Sequence, residues 1–183
     1  TTRDDPPEPH NYITYAVDRN ISNIGDEIKS LPNVHLFEAD FEKRVLPRAA
    51  DLIWCHDAFQ YAINPITTLS NWWNITSDGG MLAIVVPQTT NIYRHQLSFT
   101  QPSVCYYHYT LVNLIHMLAV SGWDCKHGFF LKNPRDPWLH AIVYKSSVGP
   151  QDPKKTDWHK LSELGLLPDS ADRSVYAHNE LRQ

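Results

Sequence analysis

Glycine is scarce in this chain: there are seven among 183 residues, and no two are separated by a single position. That spacing excludes a Gly-x-Gly turn able to let a nucleotide approach the backbone closely. It also leaves no phosphate-binding loop and no Gly-x-Ser-x-Gly nucleophile elbow. Cysteine is equally sparse. Cys55, Cys105 and Cys125 are odd in number and widely spaced, which argues for reduced thiols rather than a disulfide framework. Basic residues do not dominate either: 16 Lys and Arg stand against 20 Asp and Glu, a net charge of -4. No broad positive field therefore exists to neutralise nucleic-acid phosphates, and the local group Lys126, Lys132 and Arg135 reads as a solvated face. No apolar run approaches the roughly 18 residues of a membrane span. With no signal-peptide pattern, the expectation is an intracellular protein, cytoplasmic or within a larger particle, whose sequons at Asn20 and Asn74 are chance matches.

What is present is the composition of a folded domain, 42% hydrophobic and 20% charged. Residues 1–11, rich in proline and acid, predict an extended arm. Residues 12–146 predict one α/β domain, and 147–183 a charged tail with a short amphipathic helix at Trp158–Leu167. Within the domain, Tyr12–Val17 reads as a buried strand ending at Asp18, and Ile21, Ile24, Ile28 and Leu31 recur at helical spacing. Val34–Phe37 and Asp51–Cys55 are further strands, and 66–75 a helix with Leu69, Trp72 and Trp73 toward the core. Met81–Val86 is the most continuous apolar run and predicts a central strand. A long polar loop, Pro87–Pro102, precedes a helix whose stripe is Val104, Leu111, Leu114, Ile115 and Leu118. Strands at Lys126–Lys132 and Trp138–Lys145, joined by Asn133–Pro137, predict an antiparallel hairpin.

Alternating strands and helices imply a mostly parallel sheet, here of about six strands, with helices on both faces. A terminal antiparallel hairpin on such a sheet resembles the class I S-adenosylmethionine-dependent methyltransferase fold, a Rossmann-like architecture. Three stretches carry the resemblance. Ala50–Phe59 looks like the family's fourth strand with its substrate-facing end, and Thr76–Ile84 like the glycine turn entering the fifth. Tyr109–Leu118 followed by Ser121-Gly122-Trp123-Asp124 looks like the helix and Gly-aromatic step before the sixth. The departure is the missing Gly-x-Gly cofactor loop after the first strand.

Two alignments are possible upstream. In the first, Tyr12–Val17 matches the second strand and Val34–Asp40 the third, so the first strand is missing from mid-sheet. In the second, Tyr12–Val17 takes the first-strand position, and an edge strand is lost. Edge loss disturbs one ladder instead of two and is the cheaper structure. The turn after the strand would then be Asp18–Gly25, with Arg19, Asn20 and Ile21 where glycines let the cofactor approach.

The resemblance implies S-adenosylmethionine as cofactor if the chain is active. Asp18 would hold its ribose, Asp40 and Phe41 its adenine, and Cys55 would line the same cleft. Asp18 is also readable as a helix N-cap, and Asp40 and Phe41 as a loop acid and a core aromatic. His56 and Asp57 are the catalytic candidates, since an imidazole titrating near neutrality can take a proton from a methyl acceptor. His56, His108, His116 and His127 lack the short paired spacings of zinc sites, so no metal is expected. Tyr106, Tyr107 and Tyr109 with Trp72 and Trp73 line an acceptor pocket or a protein interface, or pack the core. The expectation is a methyltransferase-like domain that has lost catalysis and serves as a binding or structural module, meeting protein partners or further copies of itself through its terminal arms. The alternative is an active methyltransferase whose cofactor loop lies in a missing segment or a partner chain.

Overall fold

The structure is a computed structural model that describes residues 12–43, 46–88, 106–132 and 138–169. The proline-rich arm, most of the Pro87–Pro102 loop, Val104, Cys105, the Asn133–Pro137 turn and residues 170–183 lie outside the described residues. The chain divides into two compact units, Thr1–Pro47 and Arg48–Gln183.

The first unit contains β1 (Thr14–Asp18), α1 (Asp26–Lys29) and β2 (Val34–Glu38). The two strands are parallel, in register from Thr14↔Val34 to Asp18↔Glu38. The helix expected across Ile21–Leu31 shrinks to the single turn of α1. Its physical reason lies just upstream: Asn20 N–H donates to Asp18 Oδ1, and Ser22 N–H to Asn20 Oδ1, both at 2.9 Å. These local bonds give the backbone non-helical partners and consume the first half of the stretch. Ile28 and Leu31, which the helical stripe would bury, are 41% and 43% exposed. β1 itself is half-buried rather than buried.

The second unit holds β3 (Ala50–His56), α2 (Pro65–Ile75), β4 (Thr76–Pro87), α3 (Leu111–Val120), β5 (Trp123–Lys132), β6 (Trp138–Lys145) and α4 (Trp158–Glu163). Its four strands run in the order β3-β4-β6-β5. β3 and β4 are parallel, while β6 pairs antiparallel with both β4 and β5. Asn64 starts α2 by accepting the Thr67 N–H at 3.2 Å, with Pro65 at the first helical position, where a missing N–H costs nothing. Thr110 caps α3 in the same way, accepting from Asn113 N–H at 3.1 Å. The α3 stripe Leu111, Leu114, Ile115 and Leu118 is buried, as is the central run Leu82–Val86 on both faces of β4. Beyond β6 the chain keeps packing into this unit. Gln151 N–H donates to Val120 O at 2.8 Å, Cys125 N–H to Leu166 O at 3.0 Å, and Leu161, Leu166 and Leu167 are buried.

The expected six strands are all present, but they form a two-stranded and a four-stranded sheet instead of one. Among the described residues β1 bonds only β2, and β3 bonds only β4. In the second alignment β1 would lie hydrogen-bonded beside β3. The parallel pairing of β1 with β2 is common to both alignments.

Candidate functional site

The carboxyl ends of parallel strands are where an α/β sheet of this kind presents chemistry. At the end of β3 the chain turns sharply. Asp57 adopts φ +53, a left-handed conformation that Asp tolerates better than most residues. Its N–H donates to Val85 O on β4 at 3.1 Å. The turn leads into a short 3-10 helix, Phe59–Tyr61. Gln60, only 2% exposed, donates from Nε2 to Asp57 Oδ1 and accepts the N–H groups of Tyr106 and Tyr107 on its backbone oxygen at 3.0 and 3.2 Å. Gln60 thus ties the strand end to the segment entering α3. Gln88, just past β4, forms an isolated bridge with Tyr109, whose N–H donates to Pro87 O at 3.0 Å.

His56 is exposed at this end, flanked by two aromatic rings. Its ring centroid lies 6.4 Å from that of Trp54, nearly parallel at 12°, and 5.9 Å from that of Trp138. Among the described residues no hydrogen bond joins His56 to Asp57, whose Oδ1 accepts from Gln60. A base oriented by a carboxylate is therefore not assembled, since that arrangement needs a directed bond. The imidazole instead has two flat apolar neighbours, suited to a planar or cationic group. Cys55 faces inward and is buried, which pushes its thiol up to about 12 despite hydrogen bonds from the Phe59 and Ala58 backbone. The thiol stays protonated near neutrality.

Asp18, Asp40 and Phe41 belong to the first unit. Asp18, at the end of β1, accepts from Asn20 N–H; it closes a tight turn instead of capping a helix, because α1 starts only at Asp26. Asp40 accepts from Glu42 N–H at 3.1 Å and pairs with the Arg19 guanidinium at 3.3 Å, while Glu42 stands 3.9 Å from the same guanidinium. Phe41 is half-buried.

The tyrosine cluster splits. Tyr109 is buried and stacked on Phe59 at 5.6 Å, Phe59 in turn lies 5.7 Å from buried Trp72, and Tyr106 is exposed. Trp73 goes elsewhere, to a cavity of about 440 Å³ lined also by Asp78, Gly79, Lys145, Ser146 and Ser147. That cavity sits by the start of β4, whereas His56 pairs with Val85 near its end. Lys145 is already engaged there: its Nζ donates to Thr76 O at 2.6 Å, lies 3.4 Å from Asp78 and sits 4.4 Å above the Trp73 ring. Among the described residues no three potential metal ligands converge. His127 bonds Asp124 at 2.8 Å and His116 stacks on Trp158 at 6.1 Å. Gln60, Trp54 and Trp138 were not singled out from the sequence.

In the alignment that puts β1 in the first-strand position, the residues that follow it do not form a glycine cradle for a nucleoside cofactor. A glycine cradle relies on positive φ and bare backbone. Here the turn carries Arg19, Asn20 and Ile21, and its one glycine, Gly25, has φ −60 and leads into a four-residue helix opening with Asp26 and Glu27.

No protein-family model matches the chain, and no curated protein matches it. Solved structures do. One is a chain of the complex between the Haloferax volcanii Trm112 methyltransferase activator and a methyltransferase, at 15% identity and TM-score 0.57, covering 72% of this chain and 71% of that one. Another is an S-adenosylmethionine-dependent methyltransferase from Mesorhizobium loti, at 15% identity and TM-score 0.59, covering 73% and 80%. The N-methyltransferase NodS from Bradyrhizobium japonicum, solved with S-adenosyl-l-homocysteine, matches at 14% identity and TM-score 0.53 over 72% and 65%. At these identities the likeness is one of architecture, and the chain carries the class I S-adenosylmethionine-dependent methyltransferase fold with its strands divided between two sheets.

Proposed function

We propose that this chain is a methyltransferase-like module that has lost catalysis and acts as a binding or structural part of a larger protein assembly. The observation that carries the reading is the outer edge of β3. In this fold the fourth strand borders the first, and the first delivers the glycine turn to the cofactor. Among the described residues no strand occupies that position beside β3. Without it the strand ends retain acids and a histidine but not the backbone donors that hold an anionic or nucleoside group. A neighbour solved as part of a complex with a methyltransferase activator lends support to a role among protein partners.

A second reading is favoured by one specific likeness, to an N-methyltransferase solved with S-adenosyl-l-homocysteine. In it the chain is active, and the absent strand and loop come from another segment or a partner chain. Asp18 would then take the ribose, Asp40 and Phe41 the adenine, Cys55 would line the cleft, and His56 and Asp57 would face the methyl acceptor. Calorimetric titration of the purified chain with S-adenosylmethionine and S-adenosylhomocysteine separates the two. The proposed function expects no binding heat for either. Saturable binding in the micromolar range would overturn it.

A further inference from the structure

We propose that Asp57 receives a primary ammonium group, of the kind a lysine of a protein partner presents, and that Gln60 holds its carboxylate in place for it. The inference rests on the binding-module reading above and names the chemistry of the partner. Two unfavourable features of the second unit converge on this one exposed residue.

The first is in the backbone. Among the described residues Asp57 is the one non-glycine at positive φ, +53. Left-handed backbone crowds the Cβ of an L-residue against the following carbonyl, whereas glycine adopts it freely. The second is Gln60, which is 2% exposed. A carboxylate only accepts hydrogen bonds, so the amide must turn Nε2 toward Asp57 Oδ1, and Oε1 then faces away from it. Oε1 is buried, and among the described residues no group donates to it. A methionine would fill the same space without stranding a polar atom. Backbone strain and an orphaned buried acceptor mark a functional site more than a fold arranged for stability.

Both features fix where the Asp57 carboxylate sits. Its N–H is anchored on Val85 O of β4 at 3.1 Å, and Gln60 is anchored in turn by the Tyr106 and Tyr107 N–H groups on its backbone oxygen. The ordinary local use of such a carboxylate is missing, since the 3-10 helix Phe59–Tyr61 has no side-chain cap. Among the described residues no lysine, arginine or histidine pairs with Asp57, whereas Asp40, Asp78, Asp124, Asp152 and Glu163 each have a basic neighbour. The result is a preorganised, uncompensated negative charge just past β3. Its Oδ1 is engaged by Gln60, and its Oδ2 has no donor among the described residues. One available oxygen suits the point charge of an ammonium better than a guanidinium fork, which grips both oxygens at once.

Heteronuclear NMR titration of the full chain with Nα-acetyl-lysine amide tests this through the Gln60 side-chain amide signals, identified by their loss in Gln60→Met. Those signals should shift saturably with the charged probe and stay still with its neutral, Nε-acetylated form. The equivalent capped arginine should bind more weakly. Asp57→Asn keeps the tolerance of positive φ but not the charge, and should weaken binding about fivefold, the upper worth of an exposed charge pair. Gln60→Met should weaken it about threefold through lost preorganisation. That variant should unfold at no lower urea concentration than the parent, because an orphaned acceptor has gone. Unmoved Gln60 signals, an equal response to the neutral form, tighter binding of the capped arginine, or a Gln60→Met variant that binds like the parent or unfolds more readily would each overturn the proposal. The S-adenosylmethionine titration judges the underlying reading separately: saturable cofactor binding defeats that reading, whereas an inert lysine probe defeats only the assignment of Asp57.

Discussion

Gly122, the second residue after α3, is where one added methyl group should do the most damage. Its φ is +91, and a Cβ built there would lie 2.6 Å from the carbonyl carbon of Gly149, 2.7 Å from Pro150 N and 3.0 Å from Gly149 O. All three contacts are backbone, which cannot swing aside as a side chain can. The crossing segment is also pinned on both flanks, since Ser146 Oγ donates to Gly122 O at 2.6 Å and Gln151 N–H to Val120 O at 2.8 Å. Placing an L-residue at positive φ costs about 1–2 kcal/mol. Forcing packed backbone outward adds about 1–3 kcal/mol, so Gly122→Ala should lose about 2–5 kcal/mol in total. Gly165 separates the two contributions, because it has φ +71 but nothing within 4 Å of an added Cβ. Gly165→Ala should therefore lose only about 1–2 kcal/mol. Urea unfolding followed by the fluorescence of buried Trp123, whose Nε1 donates to Leu69 O at 3.2 Å, measures both. A Gly122→Ala variant no less stable than Gly165→Ala would refute the steric argument.

The buried thiols give a pH prediction. Cys55 is raised from 9.0 to about 12 and Cys125 well above 9.0, both by burial, so folding favours the protonated form. Their contribution to stability is complete below the unfolded pKa and is lost as pH climbs through 9 toward 12. Denaturation midpoints measured from pH 8 upward should fall less steeply in Cys55→Ala than in the parent, and equal slopes would contradict the assignment. Replacing the Thr110 cap by Ala should cost about 1 kcal/mol, with Thr110→Ser near neutral; chemical denaturation of the pair tests whether Thr110 Oγ1 holds the start of α3.

The elements of the second unit were legible because each is announced by local chemistry. The stripe Leu111, Leu114, Ile115 and Leu118 has helical period, Leu82–Val86 is an unbroken apolar run, and β5 and β6 flank a turn-rich pentapeptide. Boundaries shifted where a cap decided them: Thr110 starts α3 later than the stripe suggested, and β4 begins at Thr76 rather than Met81 because Ser77–Gly80 is accommodated as a register shift against β3. Strand partnership was not legible. Nothing in Thr14–Asp18 names its neighbour, since partnership is a long-range matter that residue pattern leaves open. The same limit applied to the site. His56 and Asp57 could be placed at a strand end from sequence, but Asp57 turning to Gln60, and His56 lying near Trp54 and Trp138, depend on χ angles and on strand neighbours distant in the chain.

The divided sheet also sets an energetic hierarchy. The first unit is one parallel strand pair with a single helical turn, and a two-stranded sheet is at best marginally stable in water. The second unit holds four strands, three further helices and nearly all the fully enclosed side chains. Asp18 and Asp40 therefore ride on the unit with the least cohesion of its own. Any partner that ordered those acids would be working against thermal fraying of a few residues, whereas one that gripped the His56 end would be holding a rigid block.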